Sequence, residues 1–437
     1  MSLTKALITV LLVTAGVLTA QQPRPATAKE KVVHSFCPSS SSCSDGKLPF
    51  GDLVFDANGK LYGTTQQGGT YGYGTVFELT PGTNRKWKEK VLHSFNNNGK
   101  DAAGPLSGLI FEARGNLYGT SEWGGTYGWG TVFELTPGTN GKWKEKVLHS
   151  FNYNGKDGAL PYAGLVFDTS GNLYGTTTEG GVQGSGTVFE LTAGANDKWT
   201  EKVLYSFCPT YPCTDGGYPE GALIFDGSGA LYGTTRGGGA QGSGTVFELK
   251  AGTNGKWTQK VLYSFGSGTD GFYPHSGLTF DSGGNLYGTL QFGGRFSGGD
   301  CGSDGCGAVF ELMPVKNGKW TEKVLHSFAS GADGFWPLAG LVIDASGNLY
   351  GTASYGGGYS SACSGLSCGI VFELTPGKNG KWTEKVLYSF NYKDGDYPYA
   401  GLIFDTIGNL YGTTVLGGSN SSACNGFSCG AVFEITP

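Results

Sequence analysis

One position of this 437-residue chain gathers the side chains best suited to chemistry, the residue that follows a recurring loop proline. Copy by copy it reads Phe50, Leu106, Tyr162, Glu220, His275, Leu338 and Tyr399. Only the fourth and fifth copies place an acid and a histidine there. Glycine-rich loops of the same two units add Arg236 and Arg295, and Asp300 and Asp304 lie inside the second of these loops. Carboxylate, imidazole and guanidinium together can run general acid/base chemistry. His275, Glu220, Arg236 and Arg295 are therefore the candidate catalytic set of a lyase or hydrolase, weighed against chance gathering on a loop surface.

A second constellation is aromatic. The stretches TTQQGGTYGYGT (64–75) and TSEWGGTYGWGT (120–131) carry Tyr71, Tyr73, Trp123, Tyr127 and Trp129 among glycines that cannot bury them locally. Tyr162, Trp336 and Tyr399, with Tyr153, Tyr218, Tyr273 and Tyr397, mostly flank the prolines of a DGxxP pattern. Flat rings stack on sugar C–H faces while nearby amides and carboxylates take the hydroxyls, so these positions are expected to bind glycan. The plainer alternative is packing between loops.

Other titratable residues read as structural. His34, His93, His149 and His326 share one position with Tyr205, Tyr263 and Tyr388, an interchange that suits packing. The loop acids Asp45, Asp101, Asp157, Asp215, Asp270, Asp333 and Asp394 could ring a Ca²⁺ ion with oxygen ligands, but Asp-Gly turns are the commoner use. No metal or cofactor is assigned.

All ten cysteines fall into close pairs: Cys37 with Cys43, Cys208 with Cys213, Cys301 with Cys306, Cys363 with Cys368, and Cys424 with Cys429. An even count with local pairing reads as five staples in an oxidising compartment, each expected to fix the shape of its own loop. The start of the chain agrees, since Lys5 precedes the apolar run ALITVLLVTAGVLTA (6–20) and a polar, proline-containing stretch. That is the layout of a signal peptide over residues 1–20, with a leader over 21–30 and one domain over 31–437. The run is short for an uncleaved span, and no later segment could cross a membrane. A net charge of −5 without any Lys/Arg cluster makes nucleic acid an unsuitable partner.

What must position these residues is a repeat. Tyr62, Tyr118, Tyr174, Tyr232, Tyr287, Tyr350 and Tyr411 recur in LYGT at spacings of 55 to 63 residues, a period typical of propellers and arrays. Each unit holds four strand-like segments, typified by GLVFD (164–168), NLYGT (172–176), TVFEL (187–191) and KVLYSF (202–207), here strands A to D. A–B and C–D are joined by turn chemistry, whereas B–C and D–A connections are longer and vary. KVVHSF (31–36) is a D strand without its own unit, and AVFEITP (431–437) is a C strand with no D to follow. The two pieces complete one unit, which predicts an all-β fold, a seven-bladed β-propeller of four antiparallel strands per blade, closed by strand 31–36. Strand D opens with Trp in six copies (Trp87, Trp143, Trp199, Trp257, Trp320, Trp382), and the seam copy has Ala28. Gly175 and its equivalents imply close approach by another backbone or ring, and Asp168 and Asp405 are expected to accept turn hydrogen bonds.

GNLYGTT, GTVFELTPG and KWTEKVLYSF, recurring in order over residues 31–437, resemble the GloVer tandem repeat of exported bacterial proteins. GLIFDTIGNLYGTT is more weakly similar to the NHL propeller repeat. The GloVer resemblance implies export and a repeat architecture, with no assigned catalytic residues. Its members carry varied surface-anchoring tails; this sequence stops inside the last unit, so attachment through such a tail is not expected.

The leading expectation is an exported, non-enzymatic protein, monomeric, binding glycan or a cell-surface polymer or protein through the B–C and D–A loops. Like repeats suit polyvalent recognition, whereas a reaction needs unlike groups around one centre. An enzyme on the fourth and fifth units and a structural or protein-interaction ring are the alternatives.

Overall fold

A computed structural model describes residues 28–37, 43–83, 86–266, 269–358, 363, 367–418, 424 and 429–437. The expected signal peptide lies outside these residues. Seven four-stranded antiparallel sheets follow one another round a ring. In blade three the strands are A Val166–Phe167, B Leu173–Thr177, C Thr187–Ala193 and D Trp199–Ser206. The expected propeller is present, closure included: Lys29–Ser35 pairs antiparallel with Ala431–Thr436 of blade seven, from Lys29 opposite Thr436 to Ser35 opposite Ala431.

Two boundaries differ from expectation. The closing strand starts at Lys29, inside the expected leader, because its partner strand offers backbone groups as far as Thr436. Strand A is only two residues long in each blade, Val166–Phe167 for example, because Asp168 ends it. The Asp168 carboxylate accepts the N–H groups of Ser170 and Asn172, both at 2.8 Å, and folds the chain into the A–B turn.

Blades stack face to face, which explains why the strands are apolar on both sides. Strand B of blade three is buried along its whole length. Each core cluster joins two neighbours: Tyr118, Val132 and Phe151 of blade two pack with Leu165, Leu173, Phe189 and Leu191 of blade three. Phe151, just past strand D, meets Phe189 edge-on at 5.1 Å, and the same pair returns at all seven junctions, ending with Phe390 on Phe433 and Phe36 on Phe77. Gly175 is required here, since a Cβ on it would lie 2.6 Å from Phe189 Cζ.

Hydrogen bonds also cross the junctions. Thr64 Oγ1 donates to the Ser107 carbonyl at 2.9 Å, and Thr120, Thr234 and Thr289 repeat the bond to the next blade. The seam is plainer. Thr413 has a buried hydroxyl without a partner among the described residues. Tyr174 packs against both Phe225 and Trp257 of the next blade, whereas Tyr350 meets Phe404 and has Ala28 beside it in the tryptophan's place.

All five expected cysteine pairs are disulfides: Cys37 with Cys43, Cys208 with Cys213, Cys301 with Cys306, Cys363 with Cys368, and Cys424 with Cys429. At Cys213 and Cys306 the stapled loops are also tied to other loops. The Cys213 carbonyl accepts the Gly216 N–H at 3.2 Å and the Gly239 N–H at 2.8 Å, so it ties the D–A loop to the B–C loop of blade four. The Cys306 carbonyl accepts the Trp336 N–H at 2.9 Å, which joins blade five to blade six. Backbone carbonyls carry no sequence signal, and only the meeting of loops brings these donors to them. Two other disulfides meet at the seam, with Cys43 Sγ 4.0 Å from Cys429 Sγ.

Candidate functional site at the axial mouth

The D–A and B–C loops meet on one face, and a single residue per blade explains how. Leu48, Gly104, Leu160, Tyr218, Tyr273, Trp336 and Tyr397, each just before the loop proline, all have φ between 54° and 62°. A left-handed conformation is costly for leucine, tyrosine or tryptophan, and doubly unusual before proline. Two hydrogen bonds offset it. The N–H of Tyr218 donates to the Ser185 carbonyl of blade three at 2.8 Å, and its own carbonyl accepts the Arg236 N–H of blade four at 3.0 Å. Equivalent bonds recur in every blade, so the residues after strand B and after the proline are held at fixed places round the axis.

Those places surround an axial cavity of about 250 Å³ to which all seven blades contribute. Glu220 and His275 face each other there as expected: His275 Nδ1 lies against Glu220 Oε2, and Nε2 is 2.7 Å from Gln291 Oε1. Arg236 joins them, 3.7 Å from Glu220 Oε1 and 5.4 Å above the Tyr273 ring. Arg295 does not join. It lines a separate open groove of about 610 Å³ with Phe296, His326 and Asp333, because its loop runs outward between blades five and six.

The polar side continues through residues that the sequence reading passed over. Tyr162 donates to Glu122 Oε1 at 3.2 Å, and Gln66 Nε2 donates to Glu122 Oε2 at 3.4 Å. Burial pushes the Glu122 carboxyl up from its ordinary value. The signal was available: the residue after strand B reads Gln66, Glu122, Thr178, Arg236, Gln291, Ser354 and Val415, a mostly polar position that varies from copy to copy.

The other side is aromatic without a break. From Tyr273 the rings pass through Phe272, Phe292, Trp336, Phe335, Tyr355, Tyr397 and Tyr399 to Phe50, each 5.0–6.0 Å from the next. Burial, with the Glu220 carboxylate nearby, pushes the Tyr399 phenol up to about 12. Trp336 and Tyr399 thus belong to the mouth, half-buried. Tyr71, Tyr73, Tyr127 and Trp129 stand further out and exposed, Trp129 tilted against Tyr153 at 5.2 Å. Trp123 connects the two regions. It is 43% exposed and lies over Gly104, the one copy of the left-handed residue with no side chain, where a Cβ would come within 3.1 Å of its ring.

The loop aspartates serve the turns. Asp157 accepts the Asn152 N–H at 3.0 Å and meets His149 Nε2 at 3.1 Å; Asp215 receives the Tyr205 hydroxyl at 2.7 Å. Histidine and tyrosine are thus interchangeable donors to one acid. Facing that acid from the next blade is a strand D glutamate, and among the described residues His93–Asp101–Glu145 and His149–Asp157–Glu201 come close enough to hold an ion. Burial, with the aspartate charge, lifts the Glu201 carboxyl to about 7; Glu145 reaches about 8. Glu30, Glu89, Glu322 and Glu384 repeat the situation at about 7. Gln259 takes the place once and donates to the Asp215 carbonyl at 2.9 Å, as a protonated glutamic acid would.

A family model described as Gloeobacter/Verrucomicrobia repeat matches residues 48–301 and again 196–424. No curated protein matches the chain. Among solved structures, the crystal structure of a provisionally named oxidoreductase (glucose dehydrogenase) from Thermus thermophilus aligns over 75% of this chain and 95% of its own, at 15% identity and a TM-score of 0.43.

Proposed function

As a member of the Gloeobacter/Verrucomicrobia repeat family, this chain is, we propose, an exported, non-enzymatic protein that binds glycan or a cell-surface polymer at the mouth of its loop face. The carrying observation is the division of that mouth into an aromatic arc and a hydrogen-bonding arc. A sugar ring presents the same two surfaces, C–H faces for Tyr399 and Trp336, and hydroxyls for Glu122, Glu220, Gln66 and Gln291. Trp123 extends the platform outward for a polymer longer than the cavity.

Export draws support from the five disulfides, and no helix among the described residues is long and apolar enough to cross a membrane. The reading calls for a monomer and for neither metal nor cofactor. A polysaccharide array probed with the full chain tests it. Binding should fall at least tenfold in Glu220→Gln and in the Trp123→Ala/Trp129→Ala pair; a folded wild type that binds no polysaccharide would sink the reading.

The His275–Glu220 contact favours one second reading, a lyase or hydrolase. In the structure both ring nitrogens of His275 already face oxygen partners, so the imidazole would have to leave one of them to take a substrate proton. Turnover of any polysaccharide, abolished by His275→Ala, would replace binding by catalysis.

A further inference from the structure

The wall of the axial channel has one position, two residues past the mouth residue, that reads Asp52, Gly108, Gly164, Ala222, Gly277, Gly340 and Gly401. Six blades show what the fold needs there, a residue with almost no side chain. Asp52 is the exception. Its side chain is exposed on the channel wall, and the protein packed around it raises its pKa above the ordinary carboxylate value. Oδ1 accepts the Gly401 N–H across the seam at 2.6 Å, while Oδ2 has no hydrogen-bond partner among the described residues. An exposed carboxylate with one oxygen left unpaired is open to a cationic ligand, and nothing in the repeat demands an acid there.

Two residues earlier in the same two loop segments, Phe50 and Tyr399 line the same cavity and pack edge-on at 5.2 Å. Across the mouth stand Glu220 and Tyr162. Aromatic faces near a carboxylate attract an organic cation through charge and ring quadrupole together. A divalent metal ion would need about six oxygen ligands, whereas glycine and alanine stand at every other copy of the position.

We propose that the axial channel is a subsite for a protonated amine, with Asp52 as its counter-charge and Phe50 and Tyr399 as its aromatic collar. The inference rests on the glycan reading and narrows it: the recognised polymer carries free amino groups, as a de-N-acetylated amino sugar does. An ammonium entering beside Oδ2 supplies the missing donor and favours the ionised carboxylate. Arg236 does not oppose it, being paired with Glu220.

Calorimetric titration of the full chain with glucosamine oligomers, in free-amine and N-acetylated forms, tests the proposal at a pH where the amine is charged. Wild type should prefer the free-amine form at least tenfold. The preference should vanish in Asp52→Gly, which writes the residue most other blades carry, and in Asp52→Asn, which keeps an acceptor for Gly401 without the charge. Thermal melts of both variants separate this effect from seam weakening, since a purely structural role would change melting and leave the ratio intact. Equal affinity for the two forms, or a preference that survives in both variants, would overturn the subsite and leave glycan binding standing. Failure of both oligomers to bind would also overturn it, and the neutral polysaccharides of the array then judge the broader reading separately. One equivalent of Ca²⁺ bound through Asp52, with no amine bound, would replace the ammonium by a metal ion.

Discussion

On the turn face, Tyr174 donates to Asp168 at 3.3 Å and to Glu190 at 2.7 Å, and the same three residue types meet again at Tyr62, Tyr232, Tyr287 and Tyr350. On the loop face, the position of Glu220 holds phenylalanine, leucine, tyrosine or histidine in the other blades. The faces share strands, spacing and backbone hydrogen bonds, so the ring itself cannot account for the difference. Blade packing constrains one side of each strand's ends; the other side is free to diverge because its backbone is fixed by the left-handed clamp residues.

The comparison is most strongly tested in the core that both faces share. Phe189→Ala should cost about 3–5 kcal/mol, measured by chemical denaturation, since a fully buried ring leaves a cavity between two blades. Next comes the loop face. Glu220→Gln should weaken polymer binding at least tenfold, about 1.4 kcal/mol, with unfolding free energy changed far less than by Phe189→Ala; comparable stability loss would show that the mouth is a structural part of the ring.

The junction glutamates give a pH dependence of defined sign. Folded, Glu145 and its equivalents hold protons up to about pH 7 to 8, whereas unfolded they release them near 4.5. The folded ring therefore binds extra protons between those values, and their contribution to stability is lost as pH rises through that window. Asp226 and Asp281, held low by turn hydrogen bonds despite some burial, act oppositely in acid. Melting temperature should be higher near pH 5 than near pH 8, and Glu145→Gln, which copies Gln259, should flatten the slope. The smallest effect concerns the seam. Ala28→Trp should give Tyr350 the tryptophan neighbour found at the other junctions and raise stability by about 0.5–1.5 kcal/mol; an unchanged melt would mean the seam is not weaker than the rest.

Most of the ring was legible because its determinants are local and written seven times. The LYGT tyrosines, the strand B glycines and the orphan KVVHSF fixed blade count and closure without any knowledge of contacts. The two-residue strand A was not legible, since GLVFD reads as strand throughout and only the Asp168 turn shortens it. Close spacing was enough to pair Cys208 with Cys213 and Cys301 with Cys306, but the bonds that Cys213 and Cys306 accept from other loops depend on tertiary packing. Glu220, His275 and Arg236 were found by comparing copies, yet Arg295 was misplaced because a loop's direction is set by the same packing. Gln66, Glu122 and Asp52 could have been found by the same comparison applied to neighbouring positions. The left-handed backbone of Trp336 or Tyr397 left no trace, because a bulky residue before proline signals extended chain. The aromatic arc depends on it and stayed hidden too.

Lys29 and Thr436 face each other at the end of the closing pair where other blades turn from strand C into strand D. Both therefore leave the ring from the side opposite the mouth. A tether at either position, whether a resin linker or another domain, would hold the ring from beneath and point the aromatic arc and Asp52 channel toward the surrounding solution. Immobilisation by either end leaves the candidate site open to a long polymer, and two rings joined end to end would present their mouths independently.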